Sequence, residues 1–187
     1  MRRHGSWIGV MVLLMMGAAS PAAQFGWLPG GGNKNPEFKP FEPPSQRYTV
    51  EYPTKDWNSP VAATTSVVFM QKKSEAVVSI ESSTLAVALE PGDINETIAG
   101  YEIEHIKSQM PKADGFKPQL QGDAKRRVIV IEYNRPSIKG GAERVRQYSY
   151  IVGKDVYRIS CSAAPQHFTK YEPIFTHVVS SFKVAGT

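Results

Sequence analysis

The sequence is poor in the residues and motifs on which most enzyme chemistry depends. Its 187 residues include one cysteine, so the chain can form no internal disulfide. Neither a Gly-x-Ser-x-Gly nor a His-Glu-x-x-His pattern occurs, and the glycine pair within residues 137–143 lacks the Lys-Ser/Thr of a phosphate-binding loop. Beyond the N-terminus, no apolar run approaches the roughly 20 residues that cross a bilayer. These absences argue against a hydrolase, a nucleotide-binding enzyme and an integral membrane protein.

The chain also lacks a strong excess of charge of one sign. Its formal net charge is +5, and two of the positive charges are Arg2 and Arg3 near the N-terminus. A dedicated nucleic-acid binder concentrates far more positive charge on one face, so no nucleic-acid partner is expected. The densest basic run is Lys-Arg-Arg at residues 125–127, and four more cations follow it: Arg135, Lys139, Arg144 and Arg146. These cations either form a surface for an anionic partner or lie in solvent, at the start of a strand and in a loop.

Residues 1–23 have the pattern of a secretory signal peptide. Arg2 and Arg3 precede an apolar run over residues 7–19, and small residues around Ala22 and Ala23 offer a cleavage site. No cysteine follows the apolar run, so no lipid anchor is expected. The protein is therefore predicted to be secreted or periplasmic, with no integral membrane segment after cleavage.

Residues 24–46 have the composition of a flexible linker, with five prolines and four glycines. Four aromatic residues interrupt this composition: Phe25, Trp27, Phe38 and Phe41. Such aromatics either form a short binding segment or lie on the surface of the adjacent domain, and we favour the second interpretation.

Residues 47–187 are predicted to form one α+β domain. Residues 48–53 read as a first strand, residues 66–73 and 75–83 as a hairpin, and residues 143–152 and 156–164 as another hairpin that turns at Gly-Lys-Asp. Residues 125–136 are apolar on both faces, which is typical of a strand inside a sheet. Strands and helices in this order favour a largely antiparallel sheet flanked by helices.

Two helices are predicted between and after these strands. For the first, within residues 91–111, we expect Asp93 as N-cap with Glu96 completing a capping box, and Pro111 as the stop. Its apolar row is predicted to contain Ile94, Ile98, Tyr101 and His105, with Ile106 and Met110 alongside. The second helix, within residues 165–182, has an apolar row at 3-4-3-4 spacing (Phe168, Tyr171, Phe175, Val178, Phe182) and a possible restart at Pro173.

Cys161 and His167 lie six residues apart and are the strongest candidates for a catalytic pair. Alternation along a strand places Cys161 on the same face as Tyr157, and either two-residue turn sets this face beside Tyr148, Tyr150 and Val152. We predict that this face is buried, which would raise the pKa of the thiol and keep it unreactive. A structural cysteine is therefore favoured over a nucleophile.

The other histidines give no stronger site. Glu102 and His105 form a single Glu-x-x-His pair, whereas a di-iron bundle needs two such pairs and further carboxylates. His177 falls off the apolar face of the last helix and is predicted to be a surface residue. We therefore expect no catalytic residue, no metal site, no cofactor site and no enzyme activity.

The sequence resembles the PsbP/DcrB-like family, which includes Ran-binding Mog-type proteins. The resemblance covers "YTVEYPTKDW" at the start of the domain, the helix that follows, and the closing segment with "AAP", "F-x-x-Y-x-P-x-F" and "SF". It implies an α/β/α sandwich with a central antiparallel sheet and an exported, non-enzymatic accessory role, in which the chain binds a protein partner in the cell envelope. A carrier of a small molecule or lipid, with a pocket between sheet and helices, is the alternative. An envelope hydrolase that uses Cys161 or a histidine is the weakest hypothesis.

Overall fold

The computed structural model describes residues 36–44, 47–73, 75–123, 126–137 and 140–186. The predicted signal peptide, and residues 24–35 of the predicted linker, lie outside this described part. Within these ranges, no helix is both long enough and apolar enough to span a membrane.

The described residues form two antiparallel sheets and two α-helices. A six-stranded sheet has the order β3-β4-β5-β8-β7-β6, and a three-stranded sheet has the order β1-β2-β9. The strands are β1 Phe38–Phe41, β2 Tyr48–Pro53, β3 Val61–Ala62, β4 Ser66–Met70, β5 Ala76–Leu89, β6 Asp114–Asp123, β7 Arg126–Pro136, β8 Ala142–Ala163 and β9 Lys183–Val184. The helices are α1 Glu96–Gln109, which follows a short 3-10 helix at Pro91–Asp93, and α2 Pro165–Ser181.

Strand β8 folds back on itself and supplies two neighbouring arms of the large sheet. Its first part pairs with β7, and its last part pairs with β5. Ser160 donates a hydrogen bond to Gln147 across 3.3 Å, although 13 residues separate the two in sequence, a distance of about 40 Å along an extended strand. Gly153, with a φ of 62°, lies at the reversal. The predicted hairpin around Gly-Lys-Asp is therefore confirmed.

The large sheet is covered on both faces, so its side chains form two separate cores. On one face, α2 and the small sheet enclose an aromatic core that contains Tyr48, Phe69, Tyr157, Phe168 and Phe182. On the other face, α1 covers a mainly aliphatic core. That core contains Ile94, Ala99, Ile106, Ile129, Ile131, Tyr133, Val145, Ile151 and Val156. This arrangement is the predicted α/β/α sandwich.

The start of α1 differs from the prediction. Asn95, not Asp93, is the N-cap, and its side-chain oxygen accepts hydrogen bonds from the backbone N–H groups of Thr97 and Ile98. Asp93 instead belongs to the 3-10 helix, where its carboxylate accepts the N–H of Glu90 at 2.9 Å. The predicted Asp93–Glu96 capping box of α1 is wrong because the 3-10 turn delays the α-helix until residue 96.

The buried face of α1 is also different from the predicted row. Tyr101 is 67% exposed, whereas Ala99 and Glu102 are buried; Ile94 and Ile106 are buried as predicted. A charged residue thus occupies the centre of the packed face. Helix α2 keeps its predicted row, with Phe168, Tyr171, Phe175 and Val178 all buried.

Pro173 does not restart α2, contrary to the prediction. The helix runs unbroken from Pro165 to Ser181 with Pro173 inside it. Pro173 is exposed, so its ring lies away from the core while the buried aromatic row on either side holds the helix against the sheet.

Part of the predicted linker is a strand of the folded domain. Strand β1 pairs with β2, and Phe38 and Phe41 pack against the aromatic core, which confirms the favoured interpretation for these two aromatics. The Phe38 ring stacks on His177 with 3.7 Å between centroids, and His177 Nε2 lies 2.6 Å from Glu51 Oε2. His177 is therefore a half-buried junction of β1, β2 and α2, not the simple surface residue predicted. Phe25 and Trp27 lie outside the described residues.

Phe168→Ala tests how strongly α2 depends on the aromatic core. Phe168 is fully buried, and the guanidinium groups of Arg144 and Arg146 lie 4.7 and 5.4 Å from its ring centroid. We expect the free energy of unfolding, measured by urea denaturation, to fall by about 3–5 kcal/mol because of the cavity. Val61→Ala, at a site 70% exposed, is the control and should change it by less than about 0.5 kcal/mol. Equal losses in the two variants would contradict the packing described for α2.

Candidate binding site

Cys161 is a buried core residue and does not pair with His167. Its side chain is 1% exposed within the aromatic core, and burial raises the pKa of the thiol far above its ordinary value, although Arg146 acts in the opposite direction. His167 lies in the first turn of α2, where its charge acts on Glu75. No hydrogen bond joins the two side chains in the described structure. The prediction of a buried, high-pKa thiol is confirmed.

Labelling with a thiol-reactive disulfide reagent tests this environment. In the native protein, Cys161 should react slower than in denaturant by roughly two orders of magnitude or more, because the thiolate is disfavoured and access requires opening of the core. The rate of thiol release, followed by absorbance with and without denaturant, measures this ratio. Similar native and denatured rates would show that the thiol is accessible.

Glu102, from the Glu-x-x-His pair, takes part in a buried ion pair instead of a metal site. Arg158 on β8 binds it through two hydrogen bonds, Nη2 to Oε1 at 2.7 Å and Nε to Oε2 at 2.8 Å, and each side chain is 8% exposed. Ser149 donates a further hydrogen bond to Glu102. Over the described residues, no group of three or more His, Cys, Asp or Glu side chains is arranged to hold a metal ion. The ion pair links α1 to the sheet, and both carboxylate oxygens of Glu102 are engaged by Arg158.

Glu102→Gln should cost far more stability than the same change at a neighbouring exposed pair. Removing one charge leaves Arg158 buried and uncompensated, so we expect the free energy of unfolding to fall by about 3–5 kcal/mol. Glu104→Gln, which breaks the exposed pair with Lys107 on the same helix, should cost about 0–1 kcal/mol. Urea denaturation of both variants measures the difference, and equal values would contradict the structural role of Glu102.

The basic run divides into paired and unpaired arginines. Three of its later members form ion pairs: Arg135 with Glu143, Arg144 with Glu132, and Arg146 with Glu132 and Glu172. Lys125 and Lys139 lie outside the described residues. The paired arginines are part of the fold and do not form the anionic-partner surface that the sequence left open.

Arg126 and Arg127 form no ion pair with any carboxylate in the described ranges. The Arg127 guanidinium donates a hydrogen bond to the backbone carbonyl of Ile94 at 2.9 Å, and that of Arg126 lies 5.7 Å from the ring centroid of Tyr150. These contacts hold both cations in place without an ion pair in the described ranges. An outside anion can therefore bind here through charge-assisted hydrogen bonds.

The two arginines line a cavity of about 340 Å³, which we call the recess. It lies between the turn of the β8 hairpin, the 3-10 helix, the end of β5 and β9. Most of its other lining side chains are apolar: Leu89, Pro91, Ile94, Tyr150, Ile151, Val152 and Val184. Val152 was predicted on the buried face, but it is 37% exposed because it lies at the turn of the β8 hairpin. Apolar surface therefore reaches the rim.

The recess is suited to binding by the composition of its walls. Its described lining contains one carboxylate, Glu90, and a phenol, Tyr150, whose pKa burial raises to about 12. Apolar walls with a few placed polar groups are typical of ligand sites. The arrangement fits an apolar group that carries a negative charge.

The recess residues come from separate parts of the chain. Sequence reasoning found Arg126 and Arg127 as a basic run but missed Leu89, Val152 and Val184. In the sequence, the two arginines stand at the start of a predicted strand that is apolar on both faces. This pattern marks one wall of the cavity but does not identify the other segments that complete it.

No protein-family model matches the chain, and no curated protein matches it. Solved structures do match, and they define the class as the PsbP/Mog1-like fold, which confirms the fold implied by the sequence resemblance. Cyanobacterial PsbP (CyanoP) from Synechocystis sp. PCC 6803 is similar with a TM-score of 0.62 and 14% identity, over 86% of this chain and 98% of that one. The Ran-binding protein Mog1p of Saccharomyces cerevisiae is similar with a TM-score of 0.57 and 8% identity, over 80% and 96%. At these identities the likeness shows the fold alone.

Proposed function

We propose that this protein is an exported, non-catalytic accessory module that binds a protein partner in the cell envelope, and that the recess is its contact site. The observation that carries this proposal is the position of Arg126 and Arg127, two arginines that form no ion pair among the described residues, at the wall of a mainly apolar cavity. A partner segment that combines an apolar side chain with an acidic group would complement both features.

The recess combines an apolar rim with nearby positive charge, and both features suit such a contact. Apolar groups buried in a central pocket dominate most protein interfaces, and nearby charges set specificity and association rate. Val152 supplies the apolar rim and the arginines supply the charge. The exposed valine Val61, by contrast, lies on an edge strand and is absent from the lining of the recess.

Two further observations support an exported binding role. The signal-peptide pattern of residues 1–23 directs the chain out of the cytoplasm. Mog1p, which has a similar fold, is a Ran-binding protein, so this architecture is compatible with binding another protein. This structural similarity does not identify the partner of the present chain.

A small-molecule carrier is the second candidate function. Its supporting observation is the volume of the recess, about 340 Å³, which lies at the lower end of the roughly 300–1,000 Å³ typical of ligand pockets. A single-chain amphiphile with an anionic head would use the same apolar wall and the same two arginines.

In-cell crosslinking of the tagged full-length protein, compared with Val152→Asp, tests the proposal. The introduced carboxylate would lie beside the arginines and would remove apolar contact, so we expect capture of one stoichiometric protein partner to fall by roughly fivefold or more, a loss of about 1 kcal/mol. Quantitative mass spectrometry of the crosslinked product measures the yield.

Val61→Asp is the matched control and should leave the yield unchanged. Equal capture by the wild type and by both variants would show that the recess is not part of the interface. Intact mass of the native protein separates the alternative: an added small mass without a protein partner, lost in Val152→Asp, would support the carrier.

A further inference from the structure

Helix α1 covers only part of its face of the large sheet. In the described part of the chain, α2 and the small sheet lie together over the face with the aromatic core, whereas α1 is the only α-helix over the opposite face. Glu102, at the centre of α1, is hydrogen-bonded to Ser149 and Arg158 on the two arms of the β8 hairpin. The helix is therefore centred over β8, and strands β4 and β5 lie to one side of it.

The part of this sheet face that β4 and β5 form carries apolar side chains outside both cores. Val68 on β4 and Val77 on β5 point to the α1 side, because their neighbours Val67 and Val78 are buried in the aromatic core. Val68 and Val77 are half-buried and belong to neither core among the described residues. Met70, on the same face, is 36% exposed. We call this surface the ledge, and its residues are Val68, Met70, Val77, Ser79 and Glu81.

One flank of α1 borders the ledge. Tyr101 and Lys107 lie on opposite flanks of the helix face that Glu102 buries, since successive residues turn by about 100°. The Lys107 ammonium is 5.6 Å from the ring centroid of Phe116 on β6, at the far edge of the sheet. Tyr101 is therefore on the flank nearer β5, and it is 67% exposed. The predicted apolar row of α1 thus supplies a side wall to the ledge.

The ledge has the direction and the width that a second helix requires. Ile94 and Met110, at the two ends of α1, contact Arg127 and Arg135 on β7, so α1 runs along the strands. The midline between β4 and β5 is two strand spacings from the midline of the β8 hairpin, a distance of about 10 Å. Packed helices lie about 8–10 Å apart. A helix over the ledge would therefore contact the sheet and α1 at the same time.

The charge on the ledge indicates the chemistry of its occupant. Glu81 is exposed and forms no ion pair in the described ranges. Arg158 is opposite Glu81 in the sheet register but is paired with Glu102. A cation from outside can therefore form a charge-assisted hydrogen bond with Glu81. A second copy related by a two-fold axis would instead bring two Glu81 carboxylates together, which is unfavourable.

We propose that the ledge binds an amphipathic helix of a partner protein, which lies beside α1 and completes the helical layer. The apolar face of this helix, with residues at i, i+3, i+4 and i+7, covers Val68 and Val77 and contacts Tyr101. A lysine or arginine at the edge of that face pairs with Glu81. The lining of the recess contains none of the ledge residues, so this second surface does not depend on the function proposed for the recess.

Titration of the full-length protein with helical peptides, followed by amide chemical shifts in NMR spectra, tests the proposal. The probes are three synthetic amphipathic peptides of about 18 residues. They carry leucine, isoleucine or phenylalanine at the apolar positions and lysine at the flanks, and each has a counterpart with glutamate in place of lysine. We expect at least one lysine peptide to bind with a Kd below about 1 mM and to shift the amides of the ledge and of Tyr101.

Variants of the ledge should weaken this binding in two distinct ways. Val77→Asp and Tyr101→Ala should each raise the Kd of the lysine peptide by roughly fivefold or more, and the exposed position of Tyr101 means that its variant keeps the fold. The wild type should prefer the lysine peptide to its glutamate counterpart by about fivefold, and Glu81→Gln should abolish this preference. Glu104→Gln, on the outer face of α1, and Val152→Asp, in the recess, are the controls that should change neither quantity.

Three results would overturn the proposal. They are the absence of binding by all three lysine peptides at about 1 mM, shifts confined to the recess, and an unchanged peptide preference in Glu81→Gln. Sedimentation equilibrium of the protein without peptide tests the other occupant, since a dimer that dissociates in Val77→Asp would assign the ledge to a second copy. The proposals for the ledge and the recess fail separately, because Val152→Asp alters only the recess.

Discussion

Side-chain alternation along the β8 hairpin is the constraint on which the other features of the structure depend. Both arms lie inside the large sheet and are covered on both faces, so every side chain must suit one core or the other. Tyr157 and Cys161 point into the aromatic core under α2. Arg158 and Ser149 point to the opposite face, where only a charged residue on α1 could compensate the guanidinium. The buried Glu102 is the consequence.

The recess lies where this alternation meets solvent. At the turn of β8, Val152 leaves both cores and joins Arg126 and Arg127 at the recess. The arginines further along β7 and β8 form ion pairs with carboxylates on neighbouring elements and are structural. Ion pairing in space, not position in the basic run, separates these structural arginines from the two that line the recess.

Much of the architecture was predictable because it rests on local periodicity. The alternating β-branched runs predicted the hairpins, and the aromatic spacing predicted the buried face of α2. Strand β6 was not predicted because it is a mostly exposed edge strand that contains Pro118, and its contact with the aliphatic core comes from two residues, Phe116 and Leu120. The α1 row was misassigned because the aromatic Tyr101 is exposed and the charged Glu102 is buried, the reverse of what their polarity suggests. Glu102 is buried because it pairs with Arg158 on strand β8.

The sequence by itself determined most of the helices and strands, the burial of Cys161 and the class of fold, since each follows from patterns within one segment. Only the tertiary structure decided which charges are compensated and where cavities form. The recess needs Leu89, Arg126, Val152 and Val184 together, and the ion pair needs Glu102 beside Arg158. Such contacts join residues far apart in the chain, and no local periodicity encodes which distant segments meet.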